Sequence, residues 1–355
     1  MPPSKQARAR QARQKERLAA AAAQPNPFFE PDFVLAAAEG RGEPAALLVV
    51  RAGRDWIACL PVERRAPWRS LPLPCLSPWL PAYAYLGDPL VDRDRIEDAV
   101  AAIADWLPGQ REGFALVIAD ADEDGPVLPP LLDAFRAHGL TPFDRTRRER
   151  AALRRRPDNG YLEDISSKRL KELRRLRRRL ADELGPVAVV DRAGDREAVD
   201  EFLRLEAAGW KGREGTALAA SSGDARFFHS ACERLAARGR LQLLALEGGG
   251  RTAAMQCNIL AGDALFAFKV AYDEQLARFS PGILMEVDAI DVFDGLEGVE
   301  MADSCAVPGD NSAVDRLWPD RRAVRTVIVP RSAAAAALVR SMLLARKAVK
   351  RLVRT

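Results

Sequence analysis

From residue 187 onward, apolar positions alternate between a short strand pattern and a helical one, and the predicted elements follow in regular order. Apolar runs at 187–191, 241–247, 252–260, 264–272, 298–303 and 323–329 read as strands. Apolar residues at helical spacing predict helices over 196–208 and 224–238, one starting at Ser280-Pro281-Gly282, and a short one around 312–318. The order is β-α-α-β-β-β-α-β-α-β, with Gly209-Trp210-Lys211-Gly212 as a turn and hairpins at Gly248-Gly249-Gly250 and Ala261-Gly262-Asp263. Upstream, 28–143 reads as another α/β region. It has strands at 45–50 and 55–60 joined by Arg51-Ala52-Gly53-Arg54, a helix over 95–107, a strand at 114–118 and a helix over 128–138. The stretch 61–89, rich in Pro with Trp68, Trp79, Tyr83 and Tyr85, reads as a long ordered loop or a binding wall. Four regions result: a basic disordered or weakly helical tail (1–27), an N-terminal α/β domain (28–150), a second domain (160–330) and a basic amphipathic C-terminal helix (331–355).

Composition changes this picture little. A chain of 355 residues, 48% hydrophobic and 29% charged, can bury a sizeable core. The net charge of +4 hides basic segments at both ends and over 145–180. In the helix over 166–183, Leu170, Leu173, Leu176 and Leu180 make one stripe, and Lys and Arg cover the rest as a solvated face or a phosphate-recognition face. Five scattered cysteines with no C-x-x-C pair argue against a disulfide framework or a zinc site, and only His138 and His229 exist, so no metal is expected. No apolar run reaches the roughly 18 residues of a bilayer span. A reducing, cytoplasmic location is expected.

The stretch 264–296 organises the rest. Its strand carries Lys269 as the only charge, which is expensive in an apolar strand unless the lysine is paired or faces a cleft. Ser280 is a good N-cap and Pro281 suits the first helical position. A helix N-terminus with Gly282 for close approach and Arg278 just upstream suits a phosphate; an ordinary capped helix start is the alternative.

The element order, together with Phe202-Leu203-Arg204-Leu205-Glu206, Gly209-Trp210-Lys211-Gly212, Gly215-Thr216-Ala217-Leu218, Lys269-Val270-Ala271-Tyr272-Asp273, Phe279-Ser280-Pro281-Gly282 and Asp303-Ser304-Cys305, resembles a GNAT acyltransferase domain. The branch it looks like is associated with cellulose and exopolysaccharide biosynthesis and is similar to the Fem peptidyltransferases. The resemblance covers roughly 162–330 and implies an α/β GNAT fold, with residues 28–143 as a degenerate second copy by analogy with Fem-type proteins. It implies acetyl-CoA or another acyl-CoA as co-substrate. Phe268, Val270 and Ala271 would meet the pantetheine arm, and Arg278, Ser280, Gly282 and Ile283 the pyrophosphate. The sequence departs from the commonest pyrophosphate pattern: Gly282 lies four after Arg278, and Leu284, not a small residue, comes two later.

Acyl transfer to an amine needs a base, oxyanion donors and an acid for the departing thiolate. Glu206, Asp273 and Asp303 are candidate bases and Tyr272 a candidate acid, against bland roles as solvated helix carboxylate, turn cap, strand-end charge and core ring. Trp210, Lys211 and Lys269 are candidate acceptor-site residues. The acceptor expected from the resemblance is an amine on an amino sugar or polysaccharide precursor. The alternatives are a Fem-like transferase using aminoacyl-tRNA and a catalytically silent scaffold. The C-terminal helix, with Leu338, Met342, Ala345, Val349 and Leu352 on one stripe, either packs on the protein or lies on an anionic membrane face, which would place the chain at the inner membrane.

Overall fold

The computed structural model describes residues 5–42, 46–65, 73–80, 83–157, 160–163, 165–306 and 314–352. In chain order the elements are α1 (Lys5–Ala20), α2 (Pro31–Arg41), β1 (Ala46–Ala52), β2 (Asp55–Arg65), β3 (Cys75–Pro78), β4 (Leu90–Val91), α3 (Ile96–Trp106), β5 (Ala115–Asp122), α4 (Leu128–Ala137) and β6 (Phe143–Arg154). Then come α5 (Ser167–Leu184), β7 (Ala188–Asp191), α6 (Arg196–Ala208), α7 (Trp210–Arg213), α8 (Ser222–Ala236), β8 (Leu241–Gly248), β9 (Arg251–Ala261) and β10 (Ala264–Tyr272). The chain ends with α9 (Pro281–Asp294), β11 (Met301–Asp303), α10 (Val314–Leu317), β12 (Asp320–Pro330) and α11 (Ala333–Leu352).

These elements form two compact units, and neither is continuous in sequence. The first takes Met1–Pro31, Pro44–Arg148 and Ala323–Thr355; the second takes Asp32–Glu43 and Glu149–Arg322. The boundaries expected from sequence, near 150 and 330, miss both exchanges: α2 belongs to the second unit, and the strand expected to close the second domain belongs to the first. Local periodicity reports what an element is, not which sheet it joins.

In the first unit the strand order is β1-β2-β3-β5-β12, with β4 added to β2. The predicted hairpin is there, with Ala52 opposite Asp55 around the Arg51–Arg54 turn. Helices α3 and α4 close one face through Val100, Ile103, Leu131, Leu132 and Phe135 against Ile118 and Val327. The segment expected as a disordered or weakly helical tail forms a helix that docks: Leu18 is buried with Phe29, Trp56 and Leu60, and Arg93 donates to the carbonyls of Ala20 and Ala21. A lone leucine among arginines carries too little periodic signal to predict that docking. Trp68, assigned to the expected long loop, lies outside the described residues, and the same stretch contributes the end of β2 and all of β3. Helix α11 packs through Val339, Met342 and Leu343, whereas Leu338, placed on the expected stripe, is exposed.

In the second unit the strand order is β6-β11-β10-β9-β8-β7, and only the β10–β11 pair is parallel. The basic run 145–156, read as a prelude to a helix, is largely β6. Arg147 and Arg154 stay in water, while Arg150, Ala151, Ala152 and Leu153 are buried in succession because both faces of the strand are covered there. Helices α5 and α9 cover one face with Leu173, Leu176, Leu180, Leu284, Met285, Ile290 and Phe293. Arg155 ends α9 by donating to the carbonyls of Phe293 (3.3 Å) and Asp294 (2.8 Å), last-turn acceptors that a helix leaves open, and it ties down the following turn through those of Leu296 and Val299. On the other face, Phe33 of α2 meets the rings of Phe227 (5.1 Å) and Phe268 (5.8 Å) edge to face.

Helix α2 reaches α8 because two glycines leave room. A Cβ on Gly40 would lie 2.2 Å from the Gly223 carbonyl oxygen, and one on Gly223 would lie 2.4 Å from that of Gly40. Ion pairs Arg234–Glu39 (2.5 Å) and Arg238–Asp32 (3.0 Å) flank the crossing. Gly40→Ala is therefore expected to destabilise the protein by about 1–3 kcal/mol, the cost of overpacking a fitted contact. Urea unfolding would read this as a lower midpoint, and an unchanged midpoint would show that the helices slide apart freely.

Candidate functional site

Two strands that start as neighbours part company in the second unit. Parallel pairing of β10 with β11 covers Ala264, Leu265 and Phe266 opposite Met301, Ala302 and Asp303, and there β11 ends. β10 runs on to Tyr272 with β9 on its other side, and among the described residues no strand pairs with 267–272 on the β11 side. The register with β9 shifts between Ala267 and Lys269, so Phe268 occupies a bulge at the point of divergence. The result is a slot floored by backbone groups that the sheet does not use. Bulges of this kind re-aim side chains next to binding sites.

The slot leads to the start of α9. Pro281 is the first helical residue, as expected. Ser280 stands at the N-cap, but its hydroxyl makes no cap bond. The residue is left-handed (φ 53°, ψ 50°), and its carbonyl accepts from the N–H groups of Ile283 (3.0 Å) and Leu284 (3.1 Å). The preceding turn of 3₁₀ helix delivers the chain here in a strained conformation. A Cβ on Gly282 would sit 3.2 Å from the Tyr272 ring, a contact with a side chain and not the approach to a phosphate expected of this glycine. Arg278 pairs with Glu183 at 2.8 Å and stacks on Phe279. That pair is solvent-exposed, so exchanging the carboxylate for another anion would cost little.

Beside the slot lies a recess of about 20 Å³, lined by Leu205, Glu206, Trp210, Lys211, Val270 and Tyr272 among others. Its wall is a buried charge cluster. Glu206, on the inner face of α6, takes Lys211 Nζ on Oε1 at 3.1 Å and Lys269 Nζ on the same oxygen at 3.5 Å. Its Oε2 accepts the Leu218 N–H at 2.7 Å. Lys211 also donates to the Val270 carbonyl at 3.1 Å, tying the α6–α7 corner to β10. Read as a turn, Trp210–Arg213 is a single helical turn, held tight because a Cβ on Gly212 would collide with the Ala207 carbonyl at 1.8 Å. Burial pushes the Lys269 ammonium down to about 8; Lys211 pushes the same way, and Glu206 opposes both.

The structure thus gathers Glu206, Trp210, Lys211, Lys269, Val270, Ala271 and Tyr272 around the open end of β10, with Lys269 and Ala271 on one face of the strand and Val270 and Tyr272 on the other, and Phe268, Arg278, Ser280, Gly282 and Ile283 follow along the slot. Two predicted carboxylates stand elsewhere. Asp273 caps the 3₁₀ turn through the Gln275 N–H (2.9 Å) and binds Arg251, a local structural role. Asp303 is fully buried between Arg150 and Arg322 (2.7 Å to Arg322 Nη1) and accepts the Cys305 N–H at 2.9 Å. Burial alone would raise its proton affinity, but the two guanidiniums outweigh burial and hold its carboxyl below the usual range. A carboxylate so engaged is a poor base. Sequence reasoning missed Arg150 and Arg322, which carry no signal apart from other arginines. It also missed Glu274, which accepts the Trp210 backbone N–H at 2.6 Å and pairs with Arg213, fixing the start of α7 at the recess mouth.

All five cysteines are buried thiols, and among the described residues no three His, Cys, Asp or Glu side chains come together as metal ligands. No described helix is long and apolar enough to cross a membrane.

Residues 167–310 match the family described as the acetyltransferase (GNAT) domain. A comparison with curated proteins finds no match. Among solved structures the chain is similar to a crystal structure of FemX (12% identity, 93% of this chain and 96% of that one, TM-score 0.62). It is also similar to the C-terminal DUF2156 domain of a putative lysylphosphatidylglycerol synthetase from Agrobacterium fabrum (14% identity, 95% and 96% covered, TM-score 0.57). A third is L-PGS from Bacillus licheniformis (14% identity, 91% and 97% covered, TM-score 0.52). At these identities the likeness is one of fold.

Proposed function

We propose, for a chain whose residues 167–310 form a GNAT acetyltransferase-family domain, that the protein transfers an acyl group from an acyl-CoA to an amine. The observation that carries this reading is the open stretch of β10 beyond Asp303, running from the Phe268 bulge to the Gly282 turn. An extended pantetheine arm can pair with such backbone as a strand would, and the α9 N-terminus offers the Gly282 N–H and a positive dipole end to the pyrophosphate. Trp210 and Tyr272 flank the recess where an acceptor amine would reach the thioester carbonyl. An amino sugar or polysaccharide precursor is the acceptor class we favour, from the resemblance of 162–330 to the exopolysaccharide-associated branch.

Acetyl-CoA at a hundredfold excess over its dissociation constant would stabilise the folded protein by about 2.7 kcal/mol. The expected result is a rise in Tm of roughly 5–10 °C. Gly282→Trp, which drives an indole toward Tyr272 and the slot, is expected to abolish it. No shift with acetyl-CoA, longer acyl-CoAs or free CoA overturns the reading.

A second donor, an aminoacyl ester on tRNA, is favoured by one surface. On α5, Lys168, Lys171, Arg174 and Arg178 are exposed, while Arg175 and Arg177 are engaged by Glu172 and Asp288. Binding of tRNA that weakens steeply with salt, without any CoA effect, would select this donor.

A further inference from the structure

The two lysines on Glu206 Oε1 are unusual company. Two ammonium groups share one carboxylate oxygen, and the other oxygen is committed to the Leu218 N–H. Lys211 reaches the outside, with its side chain 23% exposed, but that of Lys269 is only 8% exposed. Lys269 directly follows the Phe268 bulge, in the middle of the stretch of β10 that β11 leaves open. A buried amine beside a second cation is the arrangement that keeps a lysine ready to lose its proton. The three carboxylates expected as bases, by contrast, are occupied: Glu206 by two lysines, Asp273 by Arg251, Asp303 by Arg150 and Arg322.

We infer that Lys269 is the proton relay of acyl transfer, taking a proton from the attacking amine and returning it to the leaving thiolate. This rests on the acyl-CoA reading above. In the step, the acceptor nitrogen forms a bond to the thioester carbonyl carbon, and the carbon–sulfur bond breaks with its electron pair going to sulfur. The proton released by the acceptor nitrogen moves to neutral Lys269 Nζ and then to the thiolate, so the lysine ends as it began. Glu206 and Lys211 are positioning residues: the carboxylate holds both ammonium groups, and the Lys211 ammonium makes Lys269 easier to deprotonate.

The groups that face Lys269 are Glu206 on α6, Lys211 on α7 and Cys257 on β9. Burial is the largest influence and Lys211 adds to it, bringing the lysine to about 8. At pH 7 about a tenth of the molecules then carry a neutral amine, against fewer than one in a thousand for an ordinary lysine. A thiol near 8.5 is well matched as the final proton acceptor.

Competitive labelling with acetic anhydride, read by mass spectrometry across pH, tests the poise of Lys269 in the unaltered protein. The expected labelling midpoint is near pH 8, moving upward by a unit or more in Lys211→Met; a midpoint near 10.4 overturns the inference. Lys269→Met and Lys269→Arg are both expected to lower kcat at least a hundredfold while leaving the acetyl-CoA thermal shift intact. Retained rate in Lys269→Arg, where charge persists but the proton does not leave, overturns the relay and leaves acyl-CoA binding standing. If the unaltered protein shows no acetyl-CoA effect, the acyl-CoA reading fails and this inference falls with it.

Discussion

Replacing Asp303 by asparagine is expected to lower Tm by roughly 6–20 °C, the consequence of losing about 3–5 kcal/mol from a broken buried ion cluster. The carboxylate is wholly buried, and both guanidiniums that meet it are nearly so. Each costs several kcal/mol to remove from water, and a neutral amide cannot compensate two of them. Differential scanning calorimetry would check this, and a fall of less than about 2 °C would refute the account. A triple replacement, Arg150→Met with Asp303→Leu and Arg322→Met, is expected to recover most of the loss, because apolar residues of similar volume bring no unpaired charge. The pH dependence has a definite sign. The Asp303 carboxyl lies below its unfolded value, so its contribution is complete above about pH 4 and is lost as pH falls through the folded value. The cluster also fixes the end of β11 against β6, through Ala152 opposite Asp303. It therefore sets where β10 is left open, and its loss should also reduce acyl-donor binding.

That cluster marks the limit of what the sequence discloses. The strands and helices after residue 187 were legible because their apolar positions keep period, and Pro281 was legible because its backbone demand is local. Lys269 stood out as one charge in an apolar strand, and it did turn out buried and paired. Asp303 was conspicuous for its place at a strand end, but its meaning depends on Arg150 and Arg322, 153 and 19 residues away. Pairings over such separations leave no trace in local spacing. The same holds for α2, whose membership of the second unit rests on Phe33 and Gly40 meeting residues nearly two hundred positions on. The hydroxyl cap assigned to Ser280 failed for a different reason. Ser280 both ends the 3₁₀ turn and starts α9, and it does so with a left-handed backbone instead of the extended one a side-chain N-cap uses.

Glu286→Gln is expected to stabilise the protein by about 2–3 kcal/mol at pH 8 and by almost nothing near pH 4. Glu286 is buried on α9, and its Oε2 has no hydrogen-bond partner among the described residues. Burial pushes its carboxyl up to about 7. A raised acid holds its proton in the folded state, so its stability contribution is complete below the unfolded value near 4.3. That contribution declines as pH rises to about 7 and is then constant. Glutamine keeps the volume without the charge. Urea midpoints for both proteins at pH 4.5 and pH 8 would check this, since the acid sensitivity of Asp303 cancels in the difference. Equal differences at the two pH values would mean that Glu286 is ionised and compensated in the folded protein. The sheet face toward α9 also carries buried Gln256 and Asn258, so a polar layer lies behind the slot. Removing its one titrating member tests whether that layer serves stability or the site.

The discontinuity of the two units bears on how the chain is made. A ribosome delivers residues 32–43 long before α8 and β10, which supply the aromatic rings that Phe33 packs against. It delivers β12 only after residue 320, although β12 pairs with β5, which ends at Asp122. The first unit therefore spends most of synthesis with an open sheet edge along β5, the kind of surface that recruits other strands. Folding of either unit has to wait for nearly the whole nascent chain. A product ending at Arg322 would carry every residue of the second unit but leave the β5 edge of the first unpaired, and would be expected to aggregate through that edge.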